Sequence, residues 1–207
     1  MGGSGSIHSL PVPPVRLFIA LPLPEEVRAN LAAAQAGVSR LRLPLRFARA
    51  EGLHLTLAFL GETVEERLPA LRSLIDEAAA PSPAILLTVR GLGVFPNPRR
   101  PRVLWAGLEG DLSQLVALYD RLGGSLAAAG FPVEDRPFRP HVTLGRVSGE
   151  WTPETLRLLH AKLAETPEPF GAWRAETLDL MLSELRREGA RYATLHTSAL
   201  GRVAGSR

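Results

Sequence analysis

The chain has 207 residues, 45% hydrophobic and 22% charged, with a formal net charge of +3. This is the balance of an average globular protein with apolar material for a sizeable core. It holds no run of 18 or more apolar residues and no cysteine, so no transmembrane helix is expected, and disulfides, thiol nucleophiles and zinc–thiolate sites are excluded.

The first nine residues, "MGGSGSIHS", read as a flexible tail or expression scar with no secretory character, and residues 10–207 as the folded unit. "VRLFIAL" (15–21) is a strand stopped by Pro22. "PEEVRANLAAAQAGVSRL" opens with Pro24 and two acids and continues as a helix. "LHLTLAFL" (53–60) is a strand, and "ETVEERLPALRSLIDEAAA" (62–80) an acid-opened helix ended by "PSP". "AILLTVRGLGVF" (84–95) is a long strand broken by two glycines, "NPRRPR" a loop, and "VLWAGLE" (103–109) a strand. A helix follows, capped by Asp111 and closed at Gly130. "RPFRPHVTLGRV" is a loop entering a strand, and "TPETLRLLHAKLAE" a helix with Thr152 as N-cap and Pro153 at its first position. "WRAETLDLMLSEL" and "RYATLHTSAL" are two strands joined by the turn "RREG".

This series repeats. A strand and a helix lead to "HLTLAFLGE" at His54, followed by an acidic helix and a strand; a second strand and helix lead to "HVTLGRVSGE" at His141, again followed by an acidic helix and a strand. The fold class expected is α+β: a bilobal pseudo-two-fold duplicated fold, with an antiparallel sheet and helices in each lobe and a central active-site cleft.

In a strand, residues two apart share one face. His54 and Thr56 therefore point one way, as do His141 and Thr143, while Leu55, Leu57, Val142 and Leu144 point into a core. Two-fold symmetry then sets two imidazoles and two hydroxyls across one cleft. In-line displacement at phosphorus needs a base on the attacking side and an acid on the leaving side, and imidazole supplies both protonation states near neutral pH. The hydroxyls suit non-bridging phosphate oxygens. No acidic cluster accompanies the histidines, so no metal and no other cofactor is expected. Average composition gives on the order of 0.2 to 0.3 His-x-Thr triplets in a chain this long; two in matched contexts point to function. Symmetry alone does not say which His is the acid.

The paired "HLTL" and "HVTL", with "FLG" after the first and an Arg after the second, resemble the two-histidine (2H) phosphoesterase superfamily. "RLFIALPLPEEV", "GVFPNPRRPRVLWAGL", "FRPHVTLGR" and the terminal "LSEL" and "GARY" are similar to the RNA 2′,3′-cyclic phosphodiesterases of bacteria and archaea, also called 2′-5′ RNA ligases. The resemblance runs from about residue 15 to 200 and implies one bilobal domain over 10–207. It implies metal-free hydrolysis of an RNA 2′,3′-cyclic phosphate to a 2′-phosphate, with His54 as proton donor to the leaving 3′ oxygen, His141 as the base activating water, and Thr56 and Thr143 binding phosphate. RNA or oligonucleotides with a 2′,3′-cyclic end, and small cyclic nucleotides, are the implied partners; no membrane partner is expected, and a cytoplasmic monomer is the default. Ligation of the cyclic end to a 5′-hydroxyl uses the same two histidines in reverse. A non-catalytic RNA-binding module is a further alternative, opposed by the intact His and Thr of both motifs.

Around the motifs the reading stays open. The 24 basic residues are 23 Arg and one Lys, Lys162. That bias fits a GC-rich coding sequence, although Arg is also the better bidentate phosphate ligand. Arg146 falls opposite His141 by strict alternation, unless a bulge at Gly145 re-aims it toward phosphate. Phe59 falls opposite His54 and reads as core. Phe95 and Arg99, with Arg100 and Arg102, suit single-stranded RNA or a rigid Pro-rich turn. Arg139, with Arg136, lies just before His141. Tyr192 is either core or a nucleotide contact. His8, His160 and His196 carry no signal.

Overall fold

The computed structural model describes residues 15–165, 169–186 and 189–201. The predicted tail with His8, and the centre of the "RREG" turn, lie outside the described residues. In chain order the elements are β1 (Val15–Pro22), α1 (Glu25–Ser39), β2 (Leu45–Phe47), β3 (His54–Thr63), α2 (Leu68–Ala79), β4 (Ile85–Phe95), β5 (Val103–Gly110), α3 (Leu112–Ala128), β6 (His141–Val147), α4 (Pro153–Ala164), β7 (Gly171–Ala175), β8 (Thr177–Arg186) and β9 (Gly189–Ala199). Among the described residues no helix is long and apolar enough to cross a membrane.

The local chemistry explains most boundaries. Glu25 and Glu26 lie in the first turn of α1, where acids favour the helix dipole. Val27, Leu31, Gln35 and Val38 form its buried face. α4 starts as its sequence announces: Thr152 accepts from Thr155 N, Thr155 returns a bond to the Thr152 backbone, and Pro153 occupies the first turn. Asp111 differs from expectation. It holds the N-cap position of α3, but its side chain makes no capping bond; its carboxylate accepts instead from the Leu86 backbone N–H, at 3.3 Å.

The strands form one antiparallel sheet in the order β7-β4-β5-β6-β3-β1-β8-β9, with β2 added against β6. The order is a two-fold arrangement about the β6/β3 seam. β5 and β1 flank it, then β4 and β8, then β7 and β9. This is the α+β duplication expected. The two halves are not separate sheets, however: they meet at the single pair Leu55↔Val142, both fully buried. Three further departures have local causes. β3 runs on through Thr63, so the acidic segment opens as a 3-10 turn (Glu65–Arg67) before α2. The stretch "WRAETLDLMLSEL" breaks at Glu176 into β7 and β8, which belong to opposite halves. β2 is too short for its periodicity to show.

The core lies under the motif strands. Leu55 and Leu57 of β3, Val142 and Leu144 of β6 and Leu104 of β5 are all at most 4% exposed and belong to one apolar cluster with Leu31, Ile75 and Leu118 of the helices. One face of each motif strand is thereby fixed against the core, and the other is committed to the cleft.

Candidate active site

The two halves match through the motif residues. In one, β1 pairs with β3 through Pro22↔His54, Ala20↔Thr56, Ile19↔Ala58 and Phe18↔Phe59. In the other, β5 pairs with β6 through Gly107↔His141, Trp105↔Thr143, Leu104↔Gly145 and Val103↔Arg146. Both ladders slip by one residue at the same place, directly after the threonine: Leu57 is the extra residue in β3 and Leu144 in β6. A bulge reverses the alternation beyond it. The residue five places after each histidine, Phe59 or Arg146, is thereby turned onto the histidine face.

This corrects the reading of Phe59. It is not core: it is 66% exposed, and its ring lies 6.3 Å from Phe18, the same ring that stacks on His54. For Arg146 the structure selects the bulge. The guanidinium stands close enough for its charge to act on His141 and Tyr192. The carbonyl freed at Leu144 does not go unsatisfied. It accepts from the Ala48 backbone N–H at 2.8 Å and from Gln35 Nε2 at 2.8 Å. The buried Gln35 of α1 thus supports the bulge that aims Arg146.

Each imidazole is held in the same way. His54 Nδ1 lies 2.7 Å from the Gly52 carbonyl, and His141 Nδ1 lies 2.7 Å from the Arg139 carbonyl. A carbonyl only accepts, so each Nδ1 carries the proton, and each Nε2 is an acceptor when the ring is neutral and a donor when it is charged. Continuing the antiparallel register from Leu55↔Val142 sets His54 against Thr143 and His141 against Thr56 on one face. All four side chains are half-buried.

Aromatic rings fix the imidazole planes. His54 stacks on Phe18 at 4.6 Å and meets the edge of Tyr192 at 5.2 Å. His141 meets the edges of Phe95 at 5.0 Å and Trp105 at 6.4 Å. Tyr192 rests on Gly52, where a Cβ would stand 2.9 Å from the ring, so a side chain at the residue whose carbonyl holds His54 would have to displace Tyr192. Burial lowers the pKa of His54, with the Gly52 bond opposing. Burial also lowers that of His141; the Arg139 carbonyl opposes, and the Arg146 charge lowers it further.

The predicted site residues divide into two groups. His54, Thr56, His141, Thr143, Arg146, Phe95 and Tyr192 gather at the cleft. Arg139 contributes its carbonyl to His141 and is itself exposed. Arg99 and Arg100 are exposed on a turn in which their backbone N–H groups donate to Asn97 Oδ1 at 3.0 and 3.1 Å. That turn is tethered to α4 by His160, whose Nε2 donates to the Pro98 carbonyl at 2.9 Å. Sequence reading missed Phe18 and Trp105 as supports of the imidazoles. It also missed Asp179, which lines a pocket of about 230 Å³ beside His54 with Arg28, Met181, Tyr192 and Thr194. The only signal for Asp179 was alternation, since Leu178 and Leu180 on either side are core. His196 is more than a strand residue: its Nε2 donates to Asp76 Oδ1 of α2 at 2.8 Å, tying β9 to the helix layer. Among the described residues no three His, Asp or Glu side chains gather as a metal-ligand set.

The family model described as LigT like Phosphoesterase matches residues 21–105 and 109–192, one segment carrying the His54 motif and the other the His141 motif. An RNA 2′,3′-cyclic phosphodiesterase of Thermus thermophilus is 36% identical over 192 residues, covering 90% of each chain. One of Aeropyrum pernix is 31% identical over 184 residues, covering 84% of this chain and 98% of its own. The crystal structure of Escherichia coli LigT complexed with 3′-AMP superposes with a TM-score of 0.73 at 32% identity, over 91% of this chain and 99% of that one.

Proposed function

The chain belongs to the LigT-like phosphoesterase family, and from that premise we propose that residues 10–207 act as one unit that hydrolyses RNA 2′,3′-cyclic phosphate ends to 2′-phosphates by acid–base catalysis, without a metal. The observation that carries this reading is the duplicated bulged ladder, which aims two Nε2 atoms, two threonines and Arg146 into one cleft. The names of the relatives support the substrate, and the 3′-AMP complex of the Escherichia coli protein supports a nucleotide in a cleft of this shape.

Neutral His141 accepts a proton from water through Nε2 as the water oxygen bonds to phosphorus. The bond from phosphorus to O3′ breaks in line, and charged His54 delivers its Nε2 proton to O3′. A 2′-phosphomonoester and a 3′-hydroxyl remain. Thr56, Thr143 and Arg146 hold the equatorial oxygens, where charge builds up. Family resemblance assigns the acid and the base. The position of Arg146 supports the same assignment, because a positive charge beside His141 disfavours its proton and suits it to the base role. Tyr192, beside His54, is the proposed nucleoside contact, and Phe95, Arg99 and Arg139, on the His141 side, are the proposed contacts for the rest of the RNA.

Product analysis of an oligonucleotide ending in a 2′,3′-cyclic phosphate tests this. The 2′-phosphate should form at the same rate with and without EDTA, and His54→Ala and His141→Ala should each lower turnover by at least about a hundredfold. A 3′-phosphate product, loss of activity with EDTA, or near-wild-type turnover by either folded variant contradicts it.

A further inference from the structure

Asp179 of β8 is buried, at 8% exposure, and its Oδ1 has no hydrogen-bond partner. Burial raises its pKa, while a hydrogen bond from the Thr197 side chain and the charge of His196 oppose the rise. A buried carboxylate with one unsatisfied oxygen is costly to the free protein. A ligand bringing N–H donors relieves that cost.

The register places the Asp179 side chain on the cleft face of the sheet. Asp179 pairs with Ala20 across β8 and β1, and Ala20 pairs with Thr56 across β1 and β3. The three form one row across the sheet, with only a methyl group between the carboxylate and the phosphate-binding threonine. Two strand spacings put Asp179 roughly 10 Å from Thr56, a span that a ribose and one base cover. The intervening pocket, at about 230 Å³, is smaller than the sites that take whole drug-sized ligands and suits a single ring system. Met181, whose Sδ accepts from Thr194 Oγ1 at 3.3 Å, and the Tyr192 ring line it and offer polarizable faces to a base. Because His54 serves the leaving O3′, the ribose lies on this side of the cleft.

We propose that this pocket receives the base of the nucleoside bearing the cyclic phosphate, and that Asp179 makes it selective for guanine. The proposal rests on the hydrolytic reading of the site given above. A carboxylate only accepts. Guanine alone presents two adjacent donors, N1–H and N2–H, on its Watson–Crick edge. Adenine and cytosine set an acceptor beside their donor, and uracil flanks its N–H with two carbonyls. Each of these turns a lone pair toward the carboxylate.

The test compares kcat/KM for 2′,3′-cyclic GMP, AMP, CMP and UMP in the wild type and in Asp179→Asn, with thermal unfolding as the check of fold. The wild type should favour the guanine substrate by about tenfold or more, the size of one well-formed paired contact. Asp179→Asn, which offers one donor and one acceptor, should lose that preference through KM. Where the Asn variant does not fold, Asp179→Thr removes the carboxylate with a good strand former. Calorimetric binding of guanosine 2′-phosphate against adenosine 2′-phosphate reads the same selectivity without turnover. Selective binding without hydrolysis of any cyclic nucleotide supports the pocket and removes the hydrolytic reading. Equal kcat/KM for the four bases together with equal affinities, or a guanine preference retained in a folded variant, overturns the assignment of Asp179.

Discussion

At the scale of single residues, the site is built from groups whose protonation is set by a few neighbours. The Gly52 and Arg139 carbonyls lock both Nδ1 protons, so the difference between the two histidines comes from elsewhere. Arg146 supplies one part of it, by lowering the pKa of His141 in addition to the larger effect of burial. Arg146→Ala should therefore raise the pKa of the His141 imidazole, read by NMR titration of the ring protons in the free protein, and should also lower kcat/KM through loss of the proposed phosphate contact. An unchanged His141 titration would show that the guanidinium does not act there.

Elements decide which residues reach the cleft, and here the sequence was partly legible. The alternation of "HLTL" and "HVTL" correctly set His54, Thr56, His141 and Thr143 on the face opposite Leu55 and Val142, because the first four residues of each motif precede the bulge. Beyond it, alternation misplaced Phe59 and left Arg146 undecided. A bulge depends on how the partner strand and Gln35 satisfy the freed backbone, and that is a tertiary fact. The strand break at Glu176 was hidden for the same kind of reason: β7 and β8 are contiguous in sequence yet pair at opposite ends of the order. Asp179 was passed over because one acid in an alternating strand reads as solvated until its neighbours are seen to cover it. Capping, by contrast, is local chemistry. Thr152 was legible and Asp111 was half legible, right in position and wrong in partner. Thr152→Ala should remove the capping box of α4 and cost about 1 kcal/mol, or roughly 2–4 °C in Tm for a chain of this size, with turnover on cyclic mononucleotides retained. A larger loss of turnover than of stability would mean that α4 reaches the cleft more directly than its tether to Pro98 shows.

Across the whole molecule, the two-fold arrangement does what neither half does alone. Each half offers one imidazole on a bulged strand, and the halves join at Leu55↔Val142, the residues directly following the two histidines. In the proposed mechanism the seam sets the spacing of the two imidazoles, and their surroundings differ: a stacked Phe18 and the Asp179 pocket at His54, Arg146 and Trp105 at His141. The proposed mechanism needs that asymmetry, because one ring must be neutral while its counterpart is charged. The most direct test is the pH dependence of kcat/KM in EDTA for the wild type and for each single His→Ala variant. Burial holds both free-enzyme pKa values below the ordinary imidazole value of about 6.5. The wild-type bell should accordingly centre on the acid side of that value, with two apparent values belonging to the coupled pair. His141→Ala should delete the acidic limb, where the base gains its proton, and His54→Ala the alkaline limb, where the acid loses it. A wild-type profile that rises steadily through pH 9, or variants that keep both limbs, would contradict the paired-imidazole account.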